Sequence, residues 1–181
     1  GLQLVSRLAP FFVDMNRTRD GIEDKDLPAH LKNSAVEYYT IDNKLFLKEA
    51  YTAREREKVM RYYELYHNIL TYLARNMVKE RGYALIIDGH SMSSVGWGRV
   101  KDKGRQRSNF VVGTLDEQSA DSQIIYAFCD ALQNAAMKHN LGLSVARDKP
   151  YSGGFITRHH NDPDNHVHVI QLEVTMDTYM H

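Results

Sequence analysis

Two segments with a helical repeat alternate with short apolar segments from residue 52 onward, and this alternation constrains the fold most. The first helix is predicted to start at a capping box of Thr52 and Glu55 and to end at Gly82. Its apolar positions at helical spacing are Val59, Tyr62, Tyr66, Ile69, Leu73 and Met77. Residues 83–88 then run apolar up to Asp88, which predicts a strand buried on both faces.

The same alternation continues further along the chain. Residues 119–140 predict a second helix, with Gly142 as its stop. The predicted inner face of this helix carries Ile125, Phe128, Leu132 and Ala136. Residues 143–146 and 167–174 predict two further strands. Helices and strands in this order favour an α/β fold, in which helices cover a parallel or mixed sheet.

The amino-terminal part has a less regular pattern. Residues 11–17 predict a strand in which Asp14 and Asn16 share one face. The other face of that strand would carry Val13, Met15 and Arg17. Residues 20–44 are polar and predict loops with short elements. No repeat or low-complexity linker interrupts the chain, so we expect one domain over residues 1–181.

Composition argues against several classes of partner. Lys plus Arg and Asp plus Glu number 23 each, so no net charge attracts nucleic acid or an anionic membrane. The basic run at residues 101–107 lacks aromatic side chains for stacking on bases and predicts a solvated loop. Cys129, the only cysteine, lies in a helical apolar pattern and predicts core packing. The start of the chain does not resemble a signal peptide, so a cytoplasmic location is expected.

Asp88 and His90 lie at the carboxyl end of the first apolar strand and form the first candidate site. Ligands of open α/β sheets bind beyond the carboxyl ends of the strands. In that position His90 would bind a metal through one ring nitrogen, while Asp88 orients the ring through the other. A histidine that only caps a loop fits the same spacing equally well.

Glu173 in the last strand is the second candidate. Strand alternation puts Gln171 and Glu173 on one face. The other face would carry Ile170, Leu172 and Val174. An acid within an apolar strand is costly unless it is paired or functional. Near a metal, Glu173 would take a proton from water and pass it to a leaving amine. The alternative is a structural ion pair with Arg17 or Arg158.

The segment KPYSGGFITRHH at residues 149–160 is the third candidate. Gly153 and Gly154 would allow the backbone to approach a ligand closely. Arg158, like Arg17, carries the guanidinium that binds carboxylates in a bidentate manner. Either arginine could instead be a solvated surface charge.

Four segments, in this order, resemble the N-formylglutamate amidohydrolase family, also called N-formylglutamate deformylases. They are VDMNR at 13–17, IIDGHSM at 86–92, PYSGGFITRHH at 150–160, and HVIQLEV through YM at 168–180. Weaker similarity at residues 63–70 and 111–121 extends the resemblance over nearly the whole chain. The family is similar in turn to zinc carboxypeptidases and aspartoacylases. The resemblance implies a three-layer α/β/α sandwich, phosphorylase/hydrolase-like, with a mixed sheet and helices on both faces.

The resemblance also implies an activity and roles for particular residues. It implies a zinc-dependent hydrolase that removes a formyl or small acyl group from an acidic amino acid. His90 resembles a zinc ligand of the family, with Asp88 beside it, and Glu173 resembles the catalytic glutamate that activates water. The implied substrate contacts are Asn16, Arg17, Gly153, Gly154 and Arg158. The implied partner is a small acidic N-acyl amino acid, and the oligomeric state is left open.

The sequence departs from the family where other metal ligands are expected. Family members usually carry an earlier strand with a Pro-His-Ser-Gly-like motif, and no such motif precedes residue 13, so we expect that strand to be absent. Substitute ligands could come from a local cluster of His159, His160, His166 and His168, in which His166 and His168 would share a strand face. The competing hypothesis is a non-catalytic or truncated relative that binds an acidic metabolite or partner without a complete metal site.

Overall fold

Helices and strands alternate from residue 53 onward in the computed structural model, which describes residues 1–20, 34–36, 51–98, 100–139 and 142–180. The elements are α1 (Ala53–Arg81), β1 (Ala84–Met92), β2 (Phe110–Gly113), α2 (Ser122–Lys138), β3 (Val145–Arg147), α3 (Phe155–His160) and β4 (Val167–Thr175). Two 3-10 turns, Pro163–Asn165 and Met176–Thr178, flank β4. The chain divides into two compact units, Gly1–Asn76 and Met77–His181. The single-domain organisation stays a prediction.

In the first unit, the strand predicted at residues 11–17 is wrong, because turns and bends occupy that segment. Two successive amides donate to the Ala9 carbonyl, which closes a turn. The Asp14 carboxylate then accepts a hydrogen bond of 2.8 Å from the Asn16 amide. Such local bonds occupy backbone groups that a strand would need. The loops predicted at residues 20–44 lie mostly outside the described residues.

Helix α1 begins at the predicted capping box. The Thr52 amide donates to Glu55 Oε2 at 2.9 Å, and the Glu55 amide donates to Thr52 Oγ1 at 3.3 Å. Gly82, at φ +81°, ends the helix as predicted. The buried side chains are Val59, Met60, Tyr63, His67, Leu70 and Ala74. The predicted apolar stripe is therefore mostly displaced by one position, since Tyr62 and Ile69 are exposed.

Four strands of the second unit form a mixed sheet in the order β1–β4–β2–β3. β1 is parallel to β4, β2 is parallel to β3, and β4 is antiparallel to β2. β1 continues to Met92, beyond the predicted end at Asp88, and only Ala84, Asp88 and Met92 are buried in it. The expectation of burial on both faces is wrong, because β1 lies at the edge of the described sheet and exposes side chains such as Ile87.

Helices cover both faces of this sheet. On one face, α2 and the sheet share a core of Val112, Ala120, Ile125, Cys129 and Ile170. Cys129 is therefore core filler, as predicted, and Phe128 and Leu132 pack against the same core. On the opposite face, the amide of Gly154, just before α3, donates to Gln171 Oε1 at 2.7 Å. The α/β/α layering expected from the sequence is confirmed.

Several boundaries differ from the sequence-based expectations. α2 covers 122–138 rather than 119–140, and Ser119 instead donates its hydroxyl to the Val169 carbonyl at 2.6 Å. β3 covers 145–147 rather than 143–146. β2 and α3 were not predicted, because both are short and directly adjoin polar loop sequence. Within the described ranges, the structure contains no helix of the length and apolarity that crossing a membrane requires.

Candidate active site

The pairing of β1 with β4 brings four polar side chains onto one face of the sheet. Asp88 lies opposite Gln171, and His90 lies opposite Glu173. Neighbouring residues in register point to the same side, so the two pairs form a polar patch away from the α2 core. Gln171 and Glu173 thus share a face, as predicted. Asp88 and His90 both lie inside β1 rather than at its carboxyl end, which corrects their predicted position.

Asp88 and His90 form a close pair. His90 Nε2 lies 2.9 Å from Asp88 Oδ2, and the side chains are 28% and 8% exposed, respectively. The imidazole therefore reaches solvent while its carboxylate partner is buried. Asp88 Oδ2 makes no hydrogen bond of good alignment within the described residues. At this distance the carboxylate holds the ring in place.

Glu173 is the buried acid of this patch, and Gln171 fixes its position. Gln171 Oε1 accepts from the Gly154 amide at 2.7 Å, which orients the side-chain amide, because a backbone N–H can only donate. Gln171 Nε2 then donates to Glu173 Oε1 at 2.9 Å. Burial raises the pKa of Glu173 above its usual value, His90 opposes that shift, and the negative charge of Asp88 adds to it. The predicted alternative, an ion pair with Arg158, is not found among the described residues of this unit.

The glycines of residues 149–154 are tightly packed. Gly153 adopts φ +138°, and a Cβ there would lie 2.7 Å from the Leu115 side chain. The Gly154 amide donates its hydrogen to Gln171 and is therefore not offered to a ligand. Their predicted role as direct substrate contacts stays a prediction. Both glycines nevertheless contribute to the polar patch, because their lack of side chains lets the backbone of this loop pack closely beside Gln171.

Arg107 contradicts the prediction that residues 101–107 form a solvated loop. Its side chain is 3% exposed and donates to both carboxylate oxygens of Asp102, at 2.7 and 3.0 Å. The hydrogen bonds from Arg107 hold the pKa of Asp102 below its usual range. The guanidinium also lies 5.1 Å from the ring centroid of Tyr151. The run was misread because Lys101 and residues 103–106 are exposed and only Arg107 is buried.

The histidines near the carboxyl end do not form the predicted substitute cluster. His168 is buried, and its Nδ1 accepts from the Asp121 amide at 3.3 Å, just before α2. His166 has φ 62° and lies outside β4, so the prediction that His166 and His168 share a strand face is wrong. His159 stacks on Phe155 with a centroid distance of 4.8 Å. Across the residues that the structure describes, no three His, Cys, Asp or Glu side chains form a group able to hold a metal.

The predicted substrate-binding residues lie in different parts of the chain. Arg158 is exposed on α3 of the second unit. Asn16 and Arg17 belong to the first unit, where Arg17 Nη1 lies 3.6 Å from Asp14 Oδ2 and donates to the Asn16 carbonyl at 2.9 Å. The Tyr63 hydroxyl donates to the Arg17 carbonyl at 2.8 Å. This local network explains why the segment bends instead of extending.

Three residues of the patch or its surroundings were given no role from the sequence. Alternation placed Gln171 on the face of Glu173, but its hydrogen bonds to Gly154 and Glu173 were not predicted. Arg107 could have been suspected from Asp102, because an acid five residues before an arginine permits an ion pair across a turn. Tyr151 carries no pattern of its own, and only the folded loop brings it to Arg107.

Known proteins resemble this chain over most of its length. A model of the N-formylglutamate amidohydrolase family matches residues 2–180. The chain belongs to this family. It is 29% identical over 177 aligned positions to N-formylglutamate deformylase of Pseudomonas putida, covering 94% of the chain and 61% of that protein. It is 30% identical over 188 positions to the N-formylglutamate deformylase of Pseudomonas aeruginosa, covering 98% and 64%. The chain thus spans less than two thirds of the length of these curated relatives.

Two crystal structures share the fold. An N-formylglutamate amidohydrolase from Ralstonia eutropha JMP134 superposes with a TM-score of 0.74 at 23% identity, covering 94% of the chain and 63% of that protein. A gene product of Agrobacterium tumefaciens superposes with a TM-score of 0.59 at 17% identity, covering 94% and 59%. At these identities the likeness shows the fold alone. The expected relation to zinc carboxypeptidases and aspartoacylases stays a prediction.

Proposed function

We propose that the chain hydrolyses the amide of N-formylglutamate, or of another small N-acyl acidic amino acid. The observation that carries the proposal is the buried Glu173 carboxylate, which strand pairing sets beside His90 and Asp88. Membership of the family and the activity named for the two Pseudomonas relatives supply the substrate class.

Glu173 is the proposed general base. Burial raises its pKa, which makes its carboxylate a stronger base at neutral pH than an exposed glutamate. Gln171 holds Oε1, and Oε2 would remove a proton from the attacking water. The water oxygen bonds to the acyl carbon, the C–N bond breaks, and Glu173 returns the proton to the leaving nitrogen. The products are formate, or another small carboxylic acid, and the free amino acid.

Arg158 is the proposed contact for a substrate carboxylate in the second unit. Its guanidinium is exposed, so it can bind an incoming anion without first breaking a buried ion pair. The substrate contacts expected for Asn16 and Arg17 stay predictions from the sequence.

A divalent metal, zinc by family resemblance, is part of the proposal, with His90 as one ligand. The buried Asp88 carboxylate close to the ring fits the way proteins orient a metal-binding histidine. Bound there, such a metal would polarise the amide carbonyl and acidify water. Because the described residues contain no group of three His, Cys, Asp or Glu for a metal, we assign no other ligand.

The test of Glu173 is formate release from N-formylglutamate by the wild type and by Glu173→Gln. Glutamine keeps the shape and the oxygen that accepts from Gln171 but cannot take up a proton, so we expect a loss of about 10²–10⁴-fold in kcat. Glu80→Gln, an exposed glutamate at the end of α1, is the matched control. Undiminished turnover in Glu173→Gln, with correct folding by circular dichroism, would remove Glu173 from the mechanism.

The metal is tested by elemental analysis after dialysis against trace zinc. About one equivalent is expected for one catalytic site, and His90→Ala should lose it, whereas the exposed His159→Ala should retain it. Equal metal content in both variants would exclude His90 as a ligand.

The second candidate function is a binding protein for an acidic metabolite. The observation that favours it is the absence, within the described ranges, of three residues able to hold a metal. Calorimetry with glutamate and N-formylglutamate separates the two functions. Binding without formate release, with and without added zinc, would favour the binding protein, and turnover would exclude it.

A further inference from the structure

The segment from Asp148 to Gly154 is tied across the same face of the sheet as Glu173. At one end, the Asp148 carboxylate accepts from the Thr114 amide and hydroxyl at 2.6 and 2.7 Å. At the other end, Gly154 donates to Gln171, the strand neighbour of Glu173 on this face. Because both ends are held, the residues between them have little freedom to move away from the patch.

The middle of this segment lies directly on β2. The Ser152 carbonyl accepts from the Leu115 amide at 2.7 Å. A Cβ on Gly113 would lie 3.0 Å from the Ser152 carbonyl carbon, and Gly113 is paired with Gln171 in the sheet. The contact is therefore on the Gln171 and Glu173 face of β2. Tyr151, the preceding residue, is brought to the same side of the sheet.

Arg107 holds the Tyr151 side chain. Its guanidinium lies over the ring, 5.1 Å from the centroid. This contact is with the ring face, and the phenol hydroxyl carries one hydrogen that it can donate to another group. Burial raises the pKa of Tyr151, so the hydroxyl keeps its proton at neutral pH. The charges of Glu173 and Asp102 raise the pKa of this hydroxyl, and the charge of Arg107 lowers it.

We propose that Tyr151 is a catalytic residue that donates its hydroxyl hydrogen to the carbonyl oxygen of the amide being cleaved, and that Arg107 is its positioning residue. This inference rests on the proposed amide hydrolysis and adds an electrophilic group to it. The carbonyl oxygen gains negative charge as water adds to the acyl carbon. A fixed donor therefore stabilises the transition state more than the bound substrate.

The first experiment compares kcat and KM of Tyr151→Phe with those of the wild type in the formate-release assay. We expect kcat to fall about 10- to 100-fold, while KM changes less than about threefold. Tyr126→Phe is the matched control, because Arg147 lies 5.0 Å from the Tyr126 ring on an exposed surface away from the patch. An active wild type with unchanged kcat in Tyr151→Phe would overturn the role of Tyr151 and leave that of Glu173 standing.

The positioning role of Arg107 is tested by a double-mutant cycle. Arg107→Lys keeps the positive charge but loses the two N–H groups that donate to the Asp102 carboxylate. The side chain is then held less firmly beside Tyr151, so kcat should fall in the wild-type background. In the Tyr151→Phe background the same change should lower kcat by less than about twofold, because the hydroxyl that it positions is already gone. Equal losses in both backgrounds would show that Arg107 acts independently of Tyr151.

Ligand binding keeps the inference testable if the wild type releases no formate. Titration calorimetry then compares N-formylglutamate with glutamate, which lacks the amide carbonyl. A preference for N-formylglutamate that Tyr151→Phe abolishes and Tyr126→Phe retains would support the hydrogen bond. An equal preference in both variants, or no binding by the wild type, would overturn it.

Discussion

Replacing Asp102 with Asn removes the carboxylate that pairs with the buried Arg107 guanidinium. Arg107 is 3% exposed, so water cannot replace the two bonds of 2.7 and 3.0 Å. Removing one partner of a buried ion pair typically costs about 3–5 kcal/mol. Asp102 retains 18% exposure, and Arg107 keeps its bonds to Ser93, so we expect about 3 kcal/mol. For a chain of this size that lowers the melting temperature by about 6–12 °C.

The pH dependence of this loss follows from the lowered pKa of Asp102. Because the unfolded state takes up the proton first, the stabilisation is present above the unfolded pKa of about 4 and is lost as the pH falls through the folded pKa. Melting curves of wild type and Asp102→Asn should therefore differ at pH 7 and converge under acid conditions. Asp130→Asn, an exposed aspartate on α2, is the control. A difference below about 0.5 kcal/mol at pH 7, the range of ordinary surface substitutions, would refute the reasoning.

Two further predictions concern packing on either side of the sheet. Gly113→Ala should lower stability by about 1–3 kcal/mol and reduce formate release, because its Cβ would press on the backbone of Ser152. Gly89→Ala is the control in the melting and activity measurements, since no atom of the described residues lies within 4 Å of a Cβ there. Equal effects of the two substitutions would exclude a special contact at Gly113. The Cys129 thiol, whose pKa is raised by burial, should react with a disulfide reagent at pH 8 only after urea unfolding. Rapid labelling of the native protein would contradict its place in the core.

The elements predicted well were those with strong local signals. The capping box at Thr52 and the glycine at position 82 fixed both ends of α1, because both motifs depend on nearby backbone groups. The alternation in β4 correctly placed Glu173 on the polar face. The strand expected at residues 11–17 is wrong, because the Asp14 carboxylate accepts a local hydrogen bond from the Asn16 amide. The apolar pattern of the segment gives no sign of this bond.

The buried stripe of α1 shows a different limit. Aromatic and aliphatic residues occur on more than one side of this helix, so the pattern did not distinguish the buried Tyr63 from the exposed Tyr62. Packing decides that choice, and packing depends on residues far apart in sequence. Arg107 was misread for the same reason, since its burial requires a turn that returns Asp102 to it.

By itself the sequence determined the α/β class, the polar face of β4 and the family, because helix signals, strand alternation and ordered motifs are local properties of the chain. Only the tertiary structure decided which groups meet. The parallel register of β1 and β4 sets His90 beside Glu173 across 83 positions of sequence. The loop on β2 brings Tyr151 to Arg107. Hydrogen bonding between strands and close packing make these contacts, and neither is written in the local pattern of residues.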